Sequence, residues 1–475
     1  MMLWIAALGL SLASGWFLAR ALVGGSRLVS AALAALFGPG VASILYFLMV
    51  AADASSRTAV FAMLACLTLV SAAAWRKFAR PLSPAAGRRR PPWLVWALGL
   101  CAALALIFVT LDFSAASEAN PDGEWDAMAI WNARARFLAS DAGLWRRAVS
   151  SEIGGRMIGS SHPGYPLFLS AFVAMQWKAA GGFDPAAPVA ASGLIALAVY
   201  LLLGGSLAAR RSAALGLLSV LVLAASEVFS SQTAAQYSDL LQGLAFLAAL
   251  ALLDLADEFP GPRLWMAAGL VAGLSAWIKN EGLPFAAAAL LIAAWRFRKP
   301  ALVWLACGAT PGLLATAALK LCFAQGREAI FPATMSEAAA KIAGAGRWWQ
   351  AGLGFGKAIF DAGAAWTHPV ILMAILALAL RFAPAAERRR RAWLWIPVGV
   401  TAAAEYGTYL LTTADLDWHI STSVSRLLAQ LWPSLLWLFF TMLETPEALA
   451  DLPAPARAAA AQAKPPKAKA KLKKS

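Results

Sequence analysis

Charge is what this chain has least of. Only 14% of its 475 residues are Asp, Glu, Lys or Arg, against about 25% in a soluble domain. Most of it therefore cannot be a water-facing globule. Strand-like alternation is missing too, which argues against a β-barrel. Cysteine is limited to Cys66, Cys101, Cys307 and Cys322. None has zinc or disulfide spacing, so they read as small lipid-phase residues. No P-loop, GxGxxG, HExxH or GxSxG element stands in a suitable context. With no cytosolic domain of useful size, ATP-driven chemistry is not expected. Fixed-period repeats and the broken, inverted-repeat helices of many transporters are absent as well.

What is present is hydrocarbon. Hydrophobic residues make up 61% of the chain, in repeated apolar runs of about 17–25 residues that mark a polytopic helical membrane protein. The net charge of +15 does not point to nucleic acid, because the basic residues cluster between apolar runs. Arg76, Lys77 and Arg80 with Arg88–Arg90, then Arg210–Arg211, Arg296 with Arg298 and Lys299, and Arg388–Arg391 form these clusters. They follow the positive-inside pattern. Residues 444–475, ending in "KPPKAKAKLKKS", read as a disordered basic cytoplasmic tail beside anionic lipid. The first run lacks a basic n-region and reads as a retained helix.

Spans are expected at 2–19, 28–51, 58–75, 92–112, 188–207, 213–230, 238–254, 263–278, 283–295, 301–322, 366–381, 392–412 and 424–443. Residues 164–177 decide the topology. If they crossed, Arg210–Arg211 would face away from the other basic clusters; if they lie in the interface or re-enter, all the clusters share the cytosol. The second reading gives about 13 spans, with residues 1–91 as an N-terminal group and 92–443 as the main bundle. Two long loops, 113–187 and 323–365, then lie outside.

The unusual polar residues fall on that outer side. "DGEWDAMAIWNARARFLAS" (122–140) holds three acids, two tryptophans and two arginines. Trp125, Met128, Trp131, Ala135 and Leu138 recur at helical spacing, which predicts an amphipathic helix on the membrane surface. Capping plus anchoring is the bland account of its acids. The other is a carboxylate held at the boundary as a general base, with Asp126 or Glu124 in that role. "GSSHPGYPLF" brings His162 and Tyr165 to a proline-bounded turn. "SQTAAQYSDLL" puts Gln236, Tyr237 and Asp239 where a span begins, and "WIKNEGLPF" puts Lys279, Asn280 and Glu281 in a hairpin on the same side. "DLDWHISTSVSRLL" adds His419 and Arg426. Each has a structural explanation, but charges at membrane depth cost about 2.5–3.5 kcal/mol or more and are seldom kept without a partner or a task.

Three of these motifs, "EWDAMAIW", "SHPGYPLF" and "QYSDLL", together resemble the GT-C superfamily of integral-membrane glycosyltransferases over roughly 113–443. The similarity is greatest to bacterial relatives of the protein O-mannosyltransferases and of the lipid A aminoarabinose transferases. Glu124-Trp125-Asp126 replaces the Asp-Glu pair common in that family, and the loop follows the fourth expected span instead of the first. The resemblance implies an all-α, GT-C-like bundle with interfacial helices in its first outer loop. It also implies a polyprenyl-phosphate sugar as donor and an envelope lipid, glycan or protein as acceptor. Asp126 would be the base for inverting transfer, with Glu124 as alternative. His162, Lys279, His419 and Arg426 would hold the donor phosphate; Asp239, with Tyr237 and Glu281, would position the acceptor or a divalent cation. Metal dependence varies in the family and is left open. The expected setting is a bacterial inner membrane, with the site outside and the C-terminus in the cytosol. The alternative is a lipid-linked-glycan flippase or carrier.

Overall fold

The computed structural model describes residues 3–78, 92–140, 143–150, 152–153, 156–157, 162–324, 331–364 and 367–450. The tail from 451 onward and the basic cluster at 80–90 lie outside these residues. The elements in chain order begin with α1 (Leu3–Leu22), α2 (Arg27–Ala51), α3 (Arg57–Phe78), α4 (Pro92–Ala119) and α5 (Asn132–Ala139). An antiparallel pair of two-residue strands, β1 (Glu152–Ile153) and β2 (Arg156–Met157), follows. Next come α6 (Phe168–Ala180), α7 (Ala186–Arg210), α8 (Ala213–Ala224), α9 (Glu227–Ser230), α10 (Ser238–Glu258), α11 (Pro262–Ile278), α12 (Gly282–Arg296) and α13 (Arg298–Ala318). The chain closes with α14 (Met335–Ala343), α15 (Ala345–Phe360), α16 (Pro369–Leu380), α17 (Ala385–Arg391), α18 (Trp395–Leu411), α19 (Leu416–Thr441) and α20 (Pro446–Ala450).

This is a helical membrane protein. Among the described residues, seven helices are long and apolar enough to cross a bilayer: α1, α2, α3, α4, α7, α10 and α13, the last continued to Phe323. Helices that are shorter or more polar stand at the other six stretches expected to span. Local chemistry sets many of the ends. Ser212 accepts from the Leu215 amide at 3.1 Å and Asp415 from the Trp418 amide at 2.8 Å, each satisfying an otherwise unpaired first-turn donor. Pro262 and Pro369 open their helices, where a missing amide costs nothing. The four cysteines are free and exposed on α3, α4, α13 and its extension, as suits small residues facing lipid.

At the centre lies α10, 89% buried along its apolar window, against 6% for α4, which leans outward on α8. Around α10 pack α7, α11 and α19. Where the bundle is tightest, the backbones meet through glycine. Gly269 and Gly273 of α11 face Gly308 and Gly312 of α13, and a Cβ at Gly273 would fall 2.2 Å from the Ala309 carbonyl. Two G-x-x-x-G steps thus interlock, a packing that membranes favour. It fixes the end of α11, where Lys279 sits.

The two ends of α10 have opposite chemistry. At its C-terminal end, Asp254 accepts from Arg210 at 3.4 Å and from Arg391 at 3.1 Å. Glu258 pairs with Arg210 and, at 2.7 Å, with Arg390, while Asp257 meets Arg296 at 3.7 Å. Arg211 pairs with Glu387. The basic clusters after α7, α12 and α16 therefore gather at one end. Asp239 lies fifteen residues back along the helix, about 22 Å away at 1.5 Å per residue.

Residues 164–177 stay in the Asp239 half. Phe168 touches Gly40 in the middle of α2, Ser170 donates to the Trp131 carbonyl at 2.9 Å, and the far end of α6 meets Arg57. At 13 residues, α6 is too short to span about 30 Å of hydrocarbon. Its position accounts for Arg210–Arg211 sharing an end with the other basic clusters.

The 122–140 stretch departs from expectation. A π-turn at Ala127–Trp131 precedes α5. Its extra residue rotates the register, and the single stripe becomes two. Trp125 and Met128 stay exposed at 69% and 51%, whereas Trp131, Ala135 and Leu138 are buried, in the layer where α5 packs on α6. The stretch is half anchor and half core wall, instead of a helix resting on the surface along its length.

Candidate active site at the Asp239 end

Loop 120–126 is sewn to the turn before α10. The Glu124 amide donates to the Ala235 carbonyl at 3.2 Å, and Gln236 Nε2 donates to the Pro121 carbonyl at 3.0 Å. Asn132 Nδ2 bridges Gln236 Oε1 at 2.8 Å and the Asp122 carbonyl at 3.1 Å. Two residues with left-handed backbone make this fit: Gly123 at φ 79° and Gln236 at φ 60°. A non-glycine residue there stores strain, which the bonds to Asn132 and Pro121 offset.

That stitching brings Asp126 to Arg426, and the two form an ion pair, half-buried on both sides. The Arg426 guanidinium also lies over the Tyr237 ring, 5.1 Å from its centroid. Tyr237 accepts from the Asp126 amide at 3.3 Å and donates to Glu124 Oε2 at 3.4 Å. Burial is the main cause holding the Tyr237 phenol above its ordinary pKa; the Asp126 amide opposes it, and the Asp126 and Glu124 carboxylates add to it. Tyr237 is thus a neutral donor that separates the two candidate bases. Asp126 is on the cation, and Glu124 is one step removed.

Deeper in, Lys279 donates to Asp239 Oδ1 at 3.0 Å and meets Glu281 Oε1 at 3.0 Å. The same Asp239 oxygen accepts from Gln430 Nε2 at 2.7 Å. Burial works against the Lys279 charge, yet Asp239 and then Glu281 outweigh it and hold its pKa above the ordinary lysine value. Asp239 and Lys279 are 1% and 7% exposed, and breaking such a buried pair costs about 3–5 kcal/mol. Arg426 lies within the field of both. Asp126, Arg426, Tyr237, Asp239, Lys279 and Glu281 therefore form one connected set.

His162 stacks on Tyr165 at 4.3 Å, and Tyr165 on Trp131 at 5.8 Å. His419 sits 4.7 Å from the Tyr409 ring and within the field of Arg426 and His162. It stands in the first turn of α19, ahead of the stretch 424–443. Burial first, then Arg426 and His162, push His419 down to about 4. Its ring is neutral at ordinary pH, whereas Arg426 and Lys279 stand as cations paired with Asp126 and Asp239.

Two residues bordering the set escape a reading of the sequence. Gln430, wholly buried, fixes Asp239. Glu405 of α18, 2% exposed, lies in the field of Glu281, Lys279 and Asp239. A lone acid inside the apolar run 392–412 was its available signal.

No protein-family model, curated protein or solved structure matches this chain. The geometry must carry the functional reading alone. Among the described residues, no three His, Cys, Asp or Glu side chains stand together as a metal set. Asp239 and Glu281 both engage Lys279, so they do not fit a divalent cation as arranged.

Proposed function

We propose that the chain is an inverting glycosyltransferase that takes a sugar from a polyprenyl-phosphate donor and passes it to an envelope acceptor. It works at the outer face of a bacterial inner membrane, in a GT-C-like bundle of about 13 spans. The observation that carries this reading is the direct pairing of Asp126 with Arg426, on a loop anchored to the start of α10 and backed by Lys279. A base and a phosphate-binding cation thus stand side by side at the end of the bundle opposite the basic clusters.

In the reaction, the donor phosphate draws Arg426 away from Asp126, and bidentate guanidinium suits that exchange. The freed Asp126 carboxylate accepts the proton of the acceptor hydroxyl. The hydroxyl oxygen bonds to the anomeric carbon from the face opposite the leaving group. The bond from that carbon to the phosphate oxygen breaks, and its electron pair leaves on polyprenyl phosphate. Arg426 and Lys279 stabilise the charge that collects there. Asp126 then returns its proton to water.

One observation favours a carrier instead: Lys279, Asp239 and Glu405 lie within the bundle, as the charges of transporters do. Purified protein in vesicles, given labelled donor and a soluble acceptor analogue, separates the two readings. Labelled acceptor supports the transferase. Donor crossing the bilayer without labelled acceptor supports the carrier.

A further inference from the structure

We infer that Glu405, Asn280 and Gln430 form the subsite that recognises the sugar ring of the donor, beneath the phosphate-binding pair Arg426 and Lys279. The inference rests on the transferase reading and adds to it which part of the donor each group meets.

Among the described residues, several polar side-chain atoms around Lys279 are buried without a hydrogen-bond partner. They include both carboxyl oxygens of Glu405, Oδ1 of Asn280 and Oε1 of Gln430. Buried polar atoms of this kind are uncommon and costly to leave unpaired. Here they fall around one cation. Asn280 lies between Lys279 and Glu281, which are ion-paired at 3.0 Å. Gln430 is bonded to Asp239, which also holds Lys279. Glu405 lies in the field of Glu281, Lys279 and Asp239.

Arg426 Nε is also buried without a partner, on the side of the phosphate-binding pair. The four atoms of Glu405, Asn280 and Gln430 are oxygens, and even a proton on Glu405 would leave the other three as acceptors. A ligand that satisfies them must be rich in O–H or N–H donors. The neighbouring Arg426 and Lys279 call for an anion. Donor groups and an anion on one molecule describe a sugar phosphate, with its hydroxyl or amino groups on the Glu405 side and its phosphate on the Arg426 side. Glu281, with 21% of its side chain exposed, and half-buried Asn280 mark the rim. Gln430 and Glu405 are the buried members, at 0% and 2% exposed.

The test compares binding of two lipids by the full-length protein in detergent: polyprenyl phosphate bare, and the same lipid carrying each of a panel of neutral and amino sugars. Wild type is expected to bind one sugar-bearing lipid at least about tenfold tighter than the bare one. Glu405→Gln and Asn280→Ala are expected to lose most of that preference while keeping affinity for the bare lipid. Asn280, half-buried in a turn, carries the test if Glu405→Gln does not fold. Preference retained in the variants, no preference in wild type, or equal loss of both lipids in the variants would each overturn the subsite. Binding of neither lipid by wild type would overturn the transferase reading and the subsite together.

Discussion

Gly123 turns the chain at φ 79° with no room for a side chain. A Cβ there would meet the Ala127 methyl at 2.6 Å and the Ala235 carbonyl at 2.8 Å. Gly123→Ala is therefore expected to destabilise the protein by about 1–3 kcal/mol and to loosen the loop that carries Asp126. Thermal unfolding in detergent reads the first effect, and an unchanged midpoint would show the turn to be dispensable. His419 offers a sharper test. Its folded pKa, about 4, lies below the ordinary value near 6.5. The native state thus binds fewer protons than the unfolded state, and stability should fall as pH drops from about 6.5 towards about 4. With three histidines in the chain, 15N-histidine spectra can follow each ring. One signal should stay neutral at about pH 5.5 and vanish in His419→Gln; three rings titrating near the ordinary value would contradict this. At this scale the site was largely legible. Asp126, Tyr237, Asp239, Lys279 and Arg426 stood out because polar residues are rare in such a chain. Glu405 and Gln430 did not, because each is one residue in a run whose average hides it.

Helices carry the next layer, and α15 shows what periodicity leaves unseen. Glycines at 344, 346, 352, 354 and 356 lower helix propensity and make 323–365 look like a plain loop. The structure forms α14 and α15 there, because α15 is pinned from below. Arg347 donates to the carbonyls of Tyr409 at 2.9 Å and of Leu410 and Thr412 at 3.1 Å, satisfying the end of α18. Gln350 bonds Asp417 at 2.5 Å. Trp349, Leu353 and Phe360 point away, 71%, 55% and 79% exposed, at spacings of four and seven. Beside the ends of α18 and α19, this face is expected to lie in the headgroup–acyl boundary. Spin labels at 349, 353 and 360, after replacing the four native cysteines, should collide with oxygen more than with a water-soluble nickel chelate. A water-exposed 353 would contradict the seating. The same limit applies to 122–140. Helical spacing located the segment, but a π-turn cannot be read from spacing, so the burial of Trp131 was missed.

Taken whole, the molecule is a charge-sorted bundle. Around the C-terminal end of α10, Arg210, Arg211, Arg296, Arg390 and Arg391 are matched by Asp254, Asp257, Glu258 and Glu387. The other end holds Asp126, Arg426, Asp239 and Lys279. Composition and basic clusters made the membrane class and the shared basic end legible. Convergence of four distant segments on α10 was not legible, because packing between helices leaves no periodic trace. That convergence underlies the role proposed for Asp126: a carboxylate held by a cation which a donor phosphate would claim. The most direct test is transfer of labelled sugar from a panel of polyprenyl-phosphate sugars to mixed envelope acceptors, with purified wild type and Asp126→Asn side by side. Transfer by wild type, with loss of about a hundredfold or more in Asp126→Asn and donor binding retained, is the expected result. Undiminished transfer by Asp126→Asn, or no transfer by wild type with any donor that it binds, would contradict a base at Asp126.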